Sequence, residues 1–197
     1  MSKIDLNSSE YDGSIIFNGG TAGVVENVKV EVSKKTAEDA DNYPDFRLRF
    51  VSQNGAGIDK GFYYLDENAE NFARRLIGLG SELKHIWGVV LGADVKLPEF
   101  DTHKEMLEGV FGKFNEAIAS SPDNLYRITV DYGTNDRPQQ YLRIQYYPPY
   151  IESMEVRKEE SRLGLRNNAR VTAFVPDNKD ETYDEVHTKP ADAGAWK

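Results

Sequence analysis

Apolar and basic side chains alternate without a break in Phe46-Arg47-Leu48-Arg49-Phe50. Successive side chains of a β-strand point to opposite faces, so the apolar residues share one face and the two arginines share the other. Residues 53–57 are rich in turn-forming types, and residues 60–65 are rich in the aromatic side chains that strands favour. Together they predict a strand, a hairpin turn and a returning strand.

A further strand is predicted before this hairpin. Val28, Val30 and Val32 alternate with Lys29 and Glu31, which is typical of a strand with one face buried. The intervening residues 33–44 are largely charged and polar and end in a proline, which predicts a loop.

The middle of the chain changes to helical spacing. Between Phe72 and Val90 apolar residues recur three and four positions apart, while Gly78 and Gly80 predict a break into two helices. Thr102 followed by Glu105 has the pattern of a capping box, so a third helix is expected to start there.

Two more alternating stretches, at 125–132 and 141–147, predict the last strands. In the second of them Leu142, Ile144 and Tyr146 are expected to face the core. A short polar helix is expected at about 154–163.

The element order is therefore three strands, helices, then two strands. This order predicts a mostly β, α+β fold, and it matches an OB-like five-stranded barrel with its helices between strands 3 and 4. Other small α+β folds share the order. We divide the chain into an N-terminal arm (1–23), an OB-like domain (24–152) with a helical insertion at about 67–119, a basic helical extension (153–174) and an acidic flexible tail (175–197).

Composition restricts the class of protein. The chain has no cysteine, which fits a reducing cytoplasm, and neither a membrane-spanning apolar run nor a secretory signal is visible. The formal net charge of −9 argues against a protein that is basic throughout, but it leaves room for a local basic face. The sequence leaves the oligomeric state open, a homo-oligomer included.

No group of residues resembles a catalytic centre. A cysteine nucleophile, a serine elbow motif, a phosphate-binding loop and closely spaced histidines are all missing from the sequence. We therefore expect no enzymatic activity, no cofactor and no metal site.

The strand faces opposite the apolar rows mix arginine, lysine and tyrosine. Cationic side chains neutralise phosphates and aromatic rings stack on bases, so such a face suits a single-stranded nucleic acid without sequence readout. A protein interface and a plain solvated sheet stay open as alternatives. The candidate nucleic-acid-binding residues are Lys29, Arg47, Arg49, Lys60, Tyr63, Arg127, Arg137, Tyr141, Arg143 and Tyr147.

The end of the chain changes from basic to acidic. Residues 155–170 carry five basic residues against three acids, whereas residues 177–197 carry six acids against three lysines. An acidic segment ending in an aromatic residue suits a protein partner, with Asp184, Glu185 and Trp196 as candidate contacts; a solvating tail is the alternative.

Several stretches resemble phage-encoded single-stranded DNA-binding proteins. They are the opening residues 11–20, the run Asp45 to Phe50, Gly61 to Tyr64, Val130 to Thr134, Tyr141 to Arg143, and the acidic tail. The resemblance implies an OB barrel that covers transient single strands during replication and recombination in the host cytoplasm, and an acidic C-terminus that contacts other replication proteins. The alternative function is a phage virion or assembly protein that uses the tyrosine-rich sheet as a protein interface.

Overall fold

The computed structural model describes residues 17–175, within which six antiparallel strands form one sheet and two helices pack on it. The mostly β, α+β class expected from the sequence is confirmed. The elements are β1 (Gly23–Lys34), β2 (Phe46–Val51), β3 (Gly57–Phe62), α1 (Phe72–Val90), α2 (His103–Ser120), β4 (Tyr126–Thr134), β5 (Arg137–Ile144) and β6 (Ile151–Ser153). Single 3-10 turns lie at Phe17–Gly20 and Lys158–Glu160.

The strands lie in the order β3-β2-β1-β4-β5, and β6 pairs with β4 beside β5. β1 is long enough to pair with both β2 and β4, and a bulge between Val25 and Val28 interrupts its register with β4. The sheet curls until β3 and β5, its two ends, come into contact. No ladder joins β3 to β5 within residues 17–175, so the sheet is not closed.

The core lies on the concave face of the sheet. Phe46, Leu48 and Phe50 of β2 are buried as predicted, and Phe111 of α2 stacks on Phe46 with ring centroids 4.7 Å apart. The prediction of the helix start at Thr102 is confirmed, since Glu105 N donates to Thr102 Oγ1 over 3.1 Å.

The predicted break at Gly78 and Gly80 is wrong, because α1 runs unbroken through both glycines. Each glycine costs the helix about 1 kcal/mol relative to alanine. Burial of Leu83, Ile86 and Trp87 on the sheet outweighs this local preference.

The C-terminal part of the described chain also differs from the prediction. The short helix expected at 154–163 is wrong, because only the 3-10 turn Lys158–Glu160 forms there. Residues 166–170 run instead beside the end of β4, where Arg170 N donates to Gly133 O and Tyr132 N donates to Arg170 O. This stretch covers part of the sheet rather than extending from it. No helix in the described part of the chain is both long and apolar enough to cross a membrane.

Candidate nucleic-acid interface

The outward residues of β1, β2 and β3 form a regular grid, because both strand pairings hold their register along the whole contact. We call this surface the arginine face. Its rows are Lys29, Val51 and Gly57; Glu31, Arg49 and Asp59; and Ser33, Arg47 and Gly61. It holds three cations and two carboxylates, and the glycines on either side of Asp59 are in close contact with the side chains of Arg49 and Pro44.

Arg47 and Arg49 converge on one carboxylate of the neighbouring strand. Arg47 Nη1 donates to Asp59 Oδ2 over 3.0 Å, and Arg49 Nη1 lies 3.5 Å from Asp59 Oδ1. Arg47 is also fixed by a 3.2 Å hydrogen bond from its Nε to Ser33 Oγ and by the ring of Tyr43, whose centroid lies 4.7 Å away. The side chains of Arg47 and Arg49 stay 24% and 42% exposed, so both can be reached from solvent.

A second group of residues lies at the other end of the sheet, on β5 and just after it. Tyr141 is 80% exposed and lies two positions before Arg143 on β5, so both point outward. Beyond β5, Tyr146 and Tyr147 are both exposed and meet edge to face, with centroids 4.6 Å apart. We call these four residues the tyrosine ridge.

Two guanidinium groups lie at the tyrosine ridge, that of Arg143 within it and that of Arg166 beside it. Arg166 Cζ lies 5.0 Å from the centroid of Tyr147, while Arg143 Nε donates to Asp131 Oδ1 over 3.1 Å. The ridge therefore combines flat rings and guanidinium groups at the surface, as a stacking platform requires.

The prediction that Tyr146 faces the core is wrong, because its side chain is exposed at the surface. The strand ends at Ile144, so the alternation that orients side chains stops before Tyr146 is reached. Arg166 was counted only as part of a basic stretch, and nothing in the local pattern marked it as a neighbour of Tyr147.

Arg127 was predicted for the binding surface, and the structure places it in a buried ion-pair cluster instead. Its side chain is 5% exposed, its Nη1 lies 3.3 Å from Glu152 Oε2, and its Nε lies 3.9 Å from Glu26 Oε1. The outer face of β4 is covered, so Arg127 cannot meet a strand laid on the sheet. Its contacts give it a structural role.

Lys60 was also expected on the arginine face, and it points the other way. It pairs with the core residue Leu48 in the β2–β3 ladder, and its side chain is only 13% exposed. Its Nζ donates to Glu82 Oε1 over 2.7 Å and lies 4.4 Å from the ring centroid of Tyr150. Tyr150 Oη donates to the same Glu82 oxygen over 2.8 Å.

Lys60, Glu82 and Tyr150 form what we call the seam cluster, since they lie where β3 meets the other end of the sheet. Burial lowers the pKa of Lys60, and Glu82 opposes that shift. Burial likewise raises the pKa of Tyr150 well above its usual value, and Glu82 adds to the rise. Side chains rather than backbone hydrogen bonds thus connect the two ends of the sheet. Above them Tyr146 lies with its centroid 5.7 Å from Lys60 Nζ.

The remaining candidates lie at the edges of these two surfaces. Lys29 is exposed in the first row of the arginine face, Tyr63 is exposed just after β3, and Arg137 is exposed at the start of β5. The tail candidates Asp184, Glu185 and Trp196 lie outside the described residues. Among residues 17–175, no three His, Cys, Asp or Glu side chains are grouped so that they could hold a metal ion.

Comparison of the chain with family models, curated proteins and solved structures finds no match.

Proposed function

We propose that this protein binds single-stranded DNA, without reading its sequence, on the arginine face and the tyrosine ridge. The observation that carries the proposal is the pair Arg47 and Arg49, held side by side on an open strand face of a curled sheet whose other end presents three exposed tyrosines. Guanidinium groups neutralise phosphates, and rings stack on any base.

The continuity of the two surfaces supports a single binding path. β3 carries part of the arginine face, and it contacts β5, whose outward residues Tyr141 and Arg143 belong to the tyrosine ridge. A strand that crosses the arginine face at β2 and β3 therefore reaches the tyrosine ridge without leaving the sheet. Phosphate contacts would come first along this path and base stacking second.

The strand order supports an OB-like barrel as the framework. A three-stranded meander, helices between strands three and four, and a first strand paired with both the second and the fourth suit a five-stranded, partly open barrel. In this proposal the seam cluster takes the place of the missing ladder between β3 and β5. β6 is an addition to the five strands.

The cellular role follows from the resemblance of the sequence to phage single-stranded DNA-binding proteins. The protein would cover transient single strands during phage replication and recombination in the host cytoplasm. Residues 175–197 would then contact other replication proteins through their acidic and aromatic side chains.

A titration with oligothymidine tests the proposal. We expect the intrinsic tyrosine and tryptophan fluorescence to be quenched by a strand of about 30 nucleotides, and duplex of the same length to bind weakly. Raising the salt from about 50 mM to about 200 mM should weaken binding steeply, because phosphate contacts release counterions.

A matched pair of variants locates the binding. Arg47→Ala with Arg49→Ala should weaken it, whereas Arg74→Ala with Arg75→Ala removes the same charge from the exposed face of α1 and should not. Absence of binding by the unaltered protein at low salt would contradict the proposal. It would favour a virion or assembly role in which the tyrosine ridge meets another protein.

A further inference from the structure

Asp59 occupies the place on the arginine face where a phosphate would be expected. Its two oxygens are divided between two arginines of the neighbouring strand, Oδ2 toward Arg47 and Oδ1 toward Arg49. A phosphate that bridged the same arginines would use two oxygens in the same way. Since Arg47 and Arg49 point to the same side of β2, they repel each other unless an anion lies between them.

Gly57 contributes to the same arrangement from the adjacent row. A Cβ placed on Gly57 would lie 2.5 Å from Arg49 Nη2 and 2.6 Å from Arg49 Cζ, so the guanidinium lies flat on bare backbone. Gly57 has no left-handed backbone angle that would explain a glycine there. The close approach of Arg49 is the structural reason for glycine at this position.

We propose that Asp59 is a built-in substitute for phosphate, which holds Arg47 and Arg49 ready in the free protein and yields them to DNA. This inference rests on the proposed function and concerns its regulation. Strand binding then exchanges one anion for another at the two arginines. The carboxylate remains beside the bound phosphate and repels it, so the affinity stays below what two free arginines would give.

The charge of Asp59 and the position of the Arg49 guanidinium can be changed separately. Asp59→Asn keeps the shape and removes the competing charge, so binding to oligothymidine should become about fivefold tighter, as expected for about 1 kcal/mol between charges near water. The log–log slope of its binding constant against salt concentration should equal that of the unaltered protein, because the same phosphates are contacted.

Gly57→Ala should have the opposite effect with no change in charge. The methyl group would push the Arg49 guanidinium from its place on β3. We expect binding to weaken to the level of Arg49→Ala, and the magnitude of the log–log salt slope to fall by about 1, since one phosphate contact is lost.

The experiment is a set of oligothymidine titrations at several salt concentrations for the unaltered protein, Asp59→Asn, Gly57→Ala and Glu70→Gln. Glu70 is exposed just before α1, so its variant changes the net charge equally but away from the arginine face. Thermal unfolding of each variant shows whether it is folded, and either Asp59→Asn or Gly57→Ala suffices for the test if the other unfolds.

Tighter binding by Asp59→Asn alone, together with weaker binding by Gly57→Ala, would support the proposal. Equal or weaker binding by Asp59→Asn, or the same gain from Glu70→Gln, would overturn it while leaving DNA binding intact. Absence of DNA binding by the unaltered protein would overturn both the function and this inference.

Discussion

β2 and β4 have similar sequence patterns, and their outer faces have opposite environments. Both alternate apolar residues with polar ones, yet Arg47 and Arg49 of β2 are open to solvent while Arg127 of β4 is enclosed. On β4 the chain itself provides the cover. Asn18 on one side and Lys158, Ser161 and Leu163 on the other line a cavity with Arg127, and Arg170 O accepts a hydrogen bond from Tyr132 N at the end of the strand.

Alternation therefore predicts which face of the sheet a side chain takes but not what covers that face. Arg127 is paired with Glu152 and Glu26, whereas the arginines of β2 share a single half-exposed carboxylate. Burial turns one arginine into a part of the framework and leaves the other two available to a ligand. The same residue type therefore has a different role on each strand.

The largest effect is expected when the buried arginine is removed. Arg127→Met leaves the carboxylate of Glu152 without its ion-pair partner in a covered site, which should lower the free energy of unfolding by about 3 kcal/mol. Urea denaturation measures this change. The matched variant Arg47→Met should cost less than about 1 kcal/mol, and equal costs for the two variants would remove the distinction between the strands.

The pair Arg47→Ala and Arg49→Ala should give the next largest effect, on binding rather than on stability. We expect the free energy of binding to oligothymidine to weaken by about 2 kcal/mol and the magnitude of the salt slope to fall by about 2. Fluorescence titration at several salt concentrations measures both quantities. An unchanged slope would mean that the two arginines contact no phosphate.

Tyr146→Ala should weaken binding by about 1–2 kcal/mol, because an exposed ring that stacks on a base contributes roughly that amount. The variant should unfold at the same urea concentration as the unaltered protein, since Tyr146 lies outside the core. If Tyr146→Ala lowered the free energy of unfolding without weakening the binding of oligothymidine, Tyr146 would belong to the seam cluster and not to the binding surface.

The smallest effect is expected from the buried Tyr150, and it concerns the dependence of stability on pH. The pKa of Tyr150 is raised in the fold by burial, so its contribution to stability is complete below about pH 10 and is lost as the pH rises above that value. The free energy of unfolding should fall by roughly 1 kcal/mol between about pH 10 and 11 from this group alone. Tyr150→Phe should show a shallower fall, and the same slope in both proteins would contradict a buried, protonated Tyr150.

Much of the framework could be predicted because local pattern and burial agree there. The alternation from Phe46 to Phe50, the valines of β1 and the capping residue Thr102 each have the environment that their spacing indicates. α1 could not be delimited in the same way, because the glycine preference is local and the burial that outweighs it comes from distant residues.

The candidate site was predictable only in part. Lys60 lies two positions from Ile58 and two from Phe62, both buried, so the period of the strand already placed it on the inner face. Arg127 carried no such signal, since the residues around it include Asn18, Ser161 and Leu163, which lie near the two ends of the described chain. The contribution of Gly57 depends on the path of a side chain on another strand, which spacing along one strand does not show.

The most direct test of this account is the side-chain Nε–H NMR spectrum of the arginines, recorded as oligothymidine is added. We expect the signals of Arg47 and Arg49 to shift with saturating, salt-sensitive behaviour while that of Arg127 stays in place. Shifts at Arg127 with none at Arg47 and Arg49, or no shift at any of the three, would contradict the claim that the open face of β2 and β3 binds the strand.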